Sequence, residues 1–450
     1  MIRSILVLGG GSAGWIAAAY LAKKRPDIRI TVVESTDIPT VSVGESMNPI
    51  SYFWNKELGI DERAFMQACD ASYKIGIKFD HFRNLGQSFF HPFGYSKSNL
   101  QFRPSADRDY TSTHLCRSGR FDLELAGRHS YHVDAGLYGS FLRDYAKALG
   151  VKQLVETIQD ITLDDQGSIK AVGGHQADLF VDCTGFRSLL LGAALQEPFV
   201  SIGDSLVNDR AIAINVPYLD KPTELRPYTS CTALSAGWVW DIPLWSRRGV
   251  GYVYSSRFIT DEEAEAELFA FLGPKRVEGR EARKIRIRHG RHQRLWVKNC
   301  VGIGLAAGFI EPLESTGLSL TQLDVVDLER FLHDPDRYNE RVKTRFDATV
   351  DFIQAHYVLT ARDDTPYWRE QRERMPHRPG LSLVLDGAKR GTYDVVEQNR
   401  DVFYRPSNWN CILSGMELFG PLSEAAKGSA AINTEGLPSL YEFLGDRINS

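Results

Sequence analysis

The chain opens on a short apolar run, Ile2 to Leu8, broken only by Arg3 and Ser4. A run of this length with no alternation predicts a parallel strand buried on both faces. Ser12 to Lys24 follows with Ala and Leu at helical spacing, and Ile28 to Glu34 (IRITVVE) reads as a second strand. Together they predict a βαβ unit at the start of the chain. Ala177 to Cys183 (ADLFVDC) predicts another buried strand, and Ala211 to Val216 (AIAINV) and Gly251 to Arg257 (GYVYSSR) are further candidates. Arg283 to Arg291 (RKIRIRHGR) alternates basic and apolar residues, the pattern of a strand with a basic solvent face. From Leu318 onward Leu320, Leu323, Val326, Leu328, Phe331 and Leu332 predict a helix, and a second helical pattern covers Thr349 to Leu359. Beyond about residue 370 the chain is rich in Pro, Gly, Arg and Asp with scattered aromatics.

Composition changes this picture little. With 450 residues, 43% hydrophobic and 24% charged, the chain can bury a large core without disulfides or a structural metal. A net charge of −4 gives no reason to expect nucleic acid or a membrane surface, so the basic strand reads as a solvated face. Cys69, Cys116, Cys183, Cys231, Cys300 and Cys411 lie far apart and form no CxxC pair. They predict neither a metal site nor a disulfide framework, but small buried residues in a reducing compartment. The N-terminal apolar run stops at Gly9-Gly10-Gly11, which suits a strand entering a glycine turn rather than a signal peptide. With no run long enough to span a bilayer, the expected location is cytoplasmic.

Gly9-Gly10-Gly11-Ser12-Ala13-Gly14 fits GxGxxG between the first strand and the first helix. Gly9 would permit the tight turn, Gly11 would let a pyrophosphate approach the backbone, and Gly14 would let helix and strand pack closely. The helix N-terminus would face the phosphates. Glu34 ends the second strand, where a carboxylate can bind ribose hydroxyls. Val181-Asp182-Cys183-Thr184-Gly185 ends another strand in a small-residue turn that could meet the dinucleotide from the other side. These residues predict a dinucleotide-binding α/β enzyme and leave FAD and NAD equally open.

Several further segments, taken in order, resemble the flavin-dependent tryptophan halogenases. Trp238-Val239-Trp240-Asp241-Ile242-Pro243 matches that family's WxWxIP motif, and GGGSAGW, through Trp15, resembles its first motif. Ser42 to Ser46 (SVGES) resembles its flavin strap, Ala71 to Phe79 (ASYKIGIKF) the segment with its catalytic lysine, and Ile310 to Gly317 (IEPLESTG) the segment with its catalytic glutamate. Ala355-His356-Tyr357 and Asp364-Thr365-Pro366 also match. The resemblance covers roughly residues 2 to 415. It implies a Rossmann-like FAD-binding fold of the flavin monooxygenase/halogenase type, with residues 1–345 as the core and 346–450 as a mainly helical substrate-side region packed on it. It implies FAD, held by Gly9, Gly11, Ser12, Ala13, Gly14, Glu34, Val43, Glu45, Ile158, Leu305 and Leu318, and a halide at Thr316 and Gly317. A separate flavin reductase would supply reduced FAD, and a homodimer is left open. Reduced FAD, oxygen and halide would give hypohalous acid, which Lys74 would hold beside the aromatic substrate by hydrogen bonding or as a haloamine, with Glu314 assisting.

The residues themselves allow plainer readings. Alternation in 73–80 puts Lys74 on a solvated face with Lys78 an equal candidate; only the resemblance selects Lys74. Trp238 and Trp240 share one strand face and read as core, whereas the resemblance puts them in the passage between flavin and substrate. Glu314-Ser315-Thr316 before a helix also reads as a plain cap. His91 and Phe93 (HPFG) match positions that line the substrate ring. Phe403 and Tyr404 stand where the tryptophan enzymes have Phe-Trp. Their Tyr-Tyr pair and downstream Glu correspond here to Thr392, Tyr393 and Asn399, with Glu397 nearby, and the stretch from His91 to His132 is shorter. These departures remove the obvious partner for a substrate ammonium and favour an indole, a phenol or a larger molecule over free tryptophan. The alternatives are a flavin-dependent aromatic monooxygenase and an inactive flavin-binding relative.

Overall fold

The computed structural model describes residues 2–36, 44–94, 110–392, 394–399, 401–419 and 433–448. Val43 and Tyr393 lie outside them. A six-stranded sheet has the order Trp296–Val297, Cys300–Gly302, Leu179–Asp182, Ser4–Leu8, Arg29–Glu34, Lys152–Val155. All neighbours are parallel except the first, antiparallel pair. Ile5 and Val7 pack with helix Ser12–Lys24 on one face, while Leu6 and Leu8 join Phe180 and Leu190 on the other. Both faces are covered, which is why the strand is apolar throughout rather than alternating. Fully buried Ala17, Ala18 and Ala19 keep the helix slim where Ala135–Ala148 packs against it.

A seven-stranded sheet runs Arg283–Arg286, Arg210–Val216, Arg248–Tyr254, Gly237–Pro243, Thr229–Ala233, Gly76–Asp80, Ser88–Pro92. Here alternation is clear. Trp238 and Trp240 face helices Pro335–Val358, Pro366–Glu373, Pro379–Lys389 and Pro406–Gly415, and Val239 faces helix Asp261–Leu272. A small sheet, Gly44–Ser46, Ser130–Asp134 and Ser72–Lys74, touches the large one along Gly237–Pro243 and Arg248–Tyr254. Among the described residues no helix is long and apolar enough to cross a membrane.

Two expectations need correction. The segment 283–291 is not one strand. Arg283–Arg286 edges the large sheet, and the chain turns at Gly290 (φ 137°) into Gly290–His292 of a different sheet. Arg283, Lys284, Arg286 and Arg288 are exposed, but Arg291 is buried and holds Asp347 at 3.1 Å. The alternating segment 71–80 is also broken. Ile75 leaves the ladder, its N–H bonding Pro227 and its carbonyl Phe93 N. Ser72–Lys74 therefore belongs to the small sheet and Gly76–Asp80 to the large one. Lys74 is 0% exposed rather than on a solvated face, while Lys78 is partly exposed and paired with Asp80 at 2.9 Å.

Candidate active site

A cavity of about 540 Å³ lies between the two large sheets. Gly9, Gly11, Ser12, Ala13, Glu34, Glu45, Ile158, Leu305 and Leu318 all line it. Gly14 does not; it sits under the turn, where a Cβ would come within 1.9 Å of Gly9 O. Gly9 has φ 114°, and a Cβ there would meet Cys183 O at 2.3 Å. The first turn is thus glycine because the protein's own backbone crowds it, and the helix N-terminus opens on the cavity at Gly11 and Ser12. Cys183, Thr184 and Gly185 approach from the adjacent strand end. The Glu34 carboxylate accepts from Gln153 Nε2, and burial pushes the Glu45 carboxyl up to about 7. A glycine-cradled helix start, a strand-end carboxylate and a mostly apolar lining fit a dinucleotide such as FAD.

The far end of the cavity is walled by Ser315, Thr316 and Gly317. Ser315 has φ 58°, a left-handed conformation that costs a non-glycine residue about 1–2 kcal/mol. Asn48 holds the turn by donating from Nδ2 to the carbonyls of Glu314 and Ser315, both at 3.0 Å. Thr316 begins helix Thr316–Arg330; its Oγ1 is buried without a hydrogen-bond partner, and a Cβ at Gly317 would meet open space. An orphaned hydroxyl beside free helix N–H groups suits a small anion.

Behind that wall is a buried polar cluster. Lys74 Nζ donates to Ser315 Oγ at 2.7 Å and to Met47 O at 3.0 Å, and lies 4.8 Å from the centre of the Phe93 ring. Burial lowers its pKa to about 7, against the opposing pull of Glu314. Glu314 is fully buried. Burial alone would raise its pKa, but the imidazoles on its two oxygens hold it down at about 2. His91 Nδ1 donates to Oε2 at 2.7 Å, and His356 Nε2 donates to Oε1 at 2.9 Å. Asn408, whose Oδ1 accepts from Arg405 N, donates from Nδ2 to His91 Nε2 at 3.0 Å. Tyr404 donates to Glu314 O at 3.2 Å, with one ring face covered by Phe352 at 3.7 Å. Phe403 is half-buried, edge-on to Tyr404.

Trp240 lines the cavity and is 8% exposed, while Trp238 is fully sealed beside it, its Nε1 3.4 Å from Glu311 Oε2. Gly251 makes room for Trp240: a Cβ there would meet the indole at 2.1 Å. The structure thus brings Lys74, Glu314, His91, Phe93 and Tyr404 together on one side of the 314–317 turn and the dinucleotide residues on the other. Glu397 is exposed on helix Asp394–Gln398. Sequence reasoning gave Ser315 only a capping part, which its side chain does not play, and assigned no role to Asn48, His356 or Asn408. The Ala355-His356-Tyr357 match was the available signal for His356; the two asparagines carried none.

The tryptophan halogenase family model matches residues 4–427. The tryptophan 7-halogenase RebH of Lentzea aerocolonigenes is 35% identical, with 98% of each chain covered. Among solved structures, a tryptophan C-6 flavin-dependent halogenase (chlorinase) from taromycin biosynthesis superposes with a TM-score of 0.89 at 33% identity, both chains covered completely. BrvH, a flavin-dependent halogenase from Brevundimonas sp. BAL3, gives 0.86 at 31% identity, with 99% of each covered. The chain belongs to the tryptophan halogenase family, a family of flavin-dependent halogenases.

Proposed function

We propose that the protein uses reduced FAD from a separate flavin reductase, oxygen and chloride or bromide to halogenate an electron-rich aromatic, an indole or a phenol rather than free tryptophan. The observation that carries this reading is the Glu314–Ser315–Thr316–Gly317 turn. One side faces the dinucleotide cavity, and the other holds a buried lysine and a buried carboxylate. Bound FAD supplies the oxidation of halide by oxygen to hypohalous acid. Thr316 and Gly317 hold the halide at the cavity end. Lys74, with its lowered pKa, takes the electrophilic halogen beyond the turn. Glu314, ionised and held by His91 and His356, stabilises the positive charge that develops on the attacked ring and takes up its proton. Trp240 and Trp238 keep the organic substrate from the flavin side, and His91, Phe93, Phe403 and Tyr404 shape the ring site.

The substrate preference rests on missing chemistry. Thr392 and Asn399 offer no carboxylate for an ammonium group. The alignment with RebH spans 528 positions against this chain's 450 residues, so that relative has segments with no counterpart here, which favours a more open site. Incubation with a reductase, NADH, FAD, bromide or chloride and a panel of indoles and phenols, read by mass, should give halogenated products. Lys74→Ala should abolish them while flavin reoxidation continues. Full halogenation by Lys74→Ala, with Lys78→Ala inactive instead, would show that the wrong lysine has been assigned.

A further inference from the structure

One face of the small sheet is polar and buried, an arrangement that is costly unless each group is paired. Gly44–Ser46 and Ser72–Lys74 flank Ser130–Asp134, so Ser46, His132 and Ser72 form one cross-strand row, and Lys74 with Ser130 forms the next. Ser46, Ser72, Lys74 and His132 are all nine-tenths buried or more, as are Thr229 and Ser315, which cover them.

The hydrogen bonds among them have a direction that the chemistry dictates. Pro243 O can only accept, so Ser72 Oγ donates to it at 2.5 Å. Ser72 Oγ must then accept from His132 Nδ1 at 3.0 Å, which leaves His132 Nε2 as the lone-pair nitrogen. Nε2 accepts from Thr229 Oγ1 at 3.0 Å, Thr229 accepts from Ser46 at 2.6 Å, Ser46 from Ser315 at 3.0 Å, and Ser315 from Lys74 at 2.7 Å. Every hydroxyl is used once as donor and once as acceptor. The result is an unbroken line from a buried ammonium to a buried basic nitrogen.

We propose that His132 is a positioning residue that receives the Lys74 proton through Ser315, Ser46 and Thr229, freeing the amine to take the halogen. The proposal rests on Lys74 as the residue that carries the halogen. One concerted shift gives neutral Lys74 and protonated His132. Rotation about Cε–Nζ then turns the lone pair from Ser315 to the halogen of hypohalous acid. The N–halogen bond forms as the O–halogen bond breaks, the leaving hydroxide takes one amine proton, and water results. As the halogen passes to the ring, the proton the ring loses, taken up first by Glu314, replaces it on the amine nitrogen; the shift then reverses and both residues reset. The charged or titratable groups nearby are Lys74 itself beside His132, and Glu314 and Cys231 beside Lys74. Burial and Lys74 keep the His132 imidazolium disfavoured at rest, so the proton is lent rather than lost.

Three variants separate a relay from a structural network. Thr229→Val keeps the shape and removes the hydroxyl, Thr229→Ser keeps the hydroxyl, and His132→Gln keeps an acceptor and a donor but no basic nitrogen. At saturating FAD, single-turnover halogenation at pH 6, where about nine-tenths of Lys74 is protonated, should fall about tenfold in Thr229→Val and His132→Gln and stay near wild type in Thr229→Ser. The deficit should shrink toward pH 9, where Lys74 is already neutral, and flavin reoxidation should not change. In the resting protein, 15N-histidine NMR should show His132 protonated at Nδ1 and bare at Nε2. The relay is overturned by a wild-type pH profile in Thr229→Val, by a deficit equal at every pH, or by a proton on Nε2. Lys74→Ala keeps the two readings apart: halogenation surviving in it sinks the lysine assignment, whereas an inactive Lys74→Ala with a normal Thr229→Val sinks the relay alone.

Discussion

The two sides of the 314–317 turn are built on opposite principles. The cavity side is mostly apolar, opens at glycines, and offers backbone and a few carboxylates to a large ligand. The lysine side holds Lys74, Glu314, His91 and His356 with almost no solvent contact, each paired with another protein group. If the first is the cofactor's binding surface, defects there should be repaired by more cofactor. The second is preorganised for charge, so defects there should persist at any FAD concentration.

The largest expected effect is at Lys74. Lys74→Met should lower halogenation by at least about 100-fold, unrelieved by excess FAD. The same change should stabilise the fold. The folded pKa is about 7 and the unfolded value about 10.5, so between those pH values the unfolded chain binds the extra proton and wild-type stability rises with pH. Melting curves from pH 7 to pH 9 should show that rise in the wild type and lose it in Lys74→Met, whose melting temperature at pH 7 should be higher by about 2 °C. A lower melting temperature in the variant would mean that the hydrogen bonds to Met47 and Ser315 outweigh the cost of the buried charge.

Next is Glu314→Gln. His91 and His356 both donate to the carboxylate, and a glutamine has one acceptor oxygen for two N–H groups. One imidazole then faces an amide N–H, at about 1–3 kcal/mol in stability. Halogenation should fall by about 100-fold. In the wild type the contribution of Glu314 is fully present above pH 4.5 and lost as pH falls through about 2. A variant as stable as wild type, measured by denaturant titration, would contradict the pairing.

The two sides also differ in how far they are legible in the sequence. The dinucleotide end is local: Gly9 to Gly14 and Glu34 lie within 26 residues, and the backbone crowding at Gly9 and Gly14 is what a spacing rule captures. The lysine end is assembled from segments near 47, 74, 91, 132, 229, 314, 356 and 408, which no periodicity connects. Lys74 in particular reads as solvent-facing because alternation assumes one continuous strand, and the break at Ile75 places it in another sheet. The family resemblance pointed to Lys74 and Glu314; it gave no pointer to Asn48, which pins the turn, or Asn408, which donates to His91.

Trp240 stands at the border and tests whether the sides are truly separate. Gly251→Ala would place a Cβ 2.1 Å from the indole and 2.6 Å from Ile212 O, so the ring must move. Overpacking of this kind costs about 1–3 kcal/mol. Because Trp240 lines the cavity, its displacement should lower the fraction of reduced flavin converted to halogenated product, with the rate of flavin reoxidation kept. Unchanged coupling would remove Trp240 from the barrier.

The smallest effect expected is at Glu34, and it is the sharpest test of the contrast. Glu34 lines the cavity at the end of its strand and lies beside Gly10, where a Cβ would sit 1.5 Å from Oε2. Glycine at position 10 leaves room for the carboxylate beside the turn, where a bound ribose would be within its reach. Glu34→Gln keeps the shape and removes the charge, so one charge-assisted hydrogen bond weakens to a neutral one, a loss of about 1.4 kcal/mol and hence about tenfold in FAD affinity. Isothermal titration should show that tenfold loss, and halogenation at saturating FAD should return to the wild-type rate. If saturating FAD leaves Glu34→Gln slow, the cavity does more than bind. If it restores Lys74→Met, the lysine side does less than chemistry.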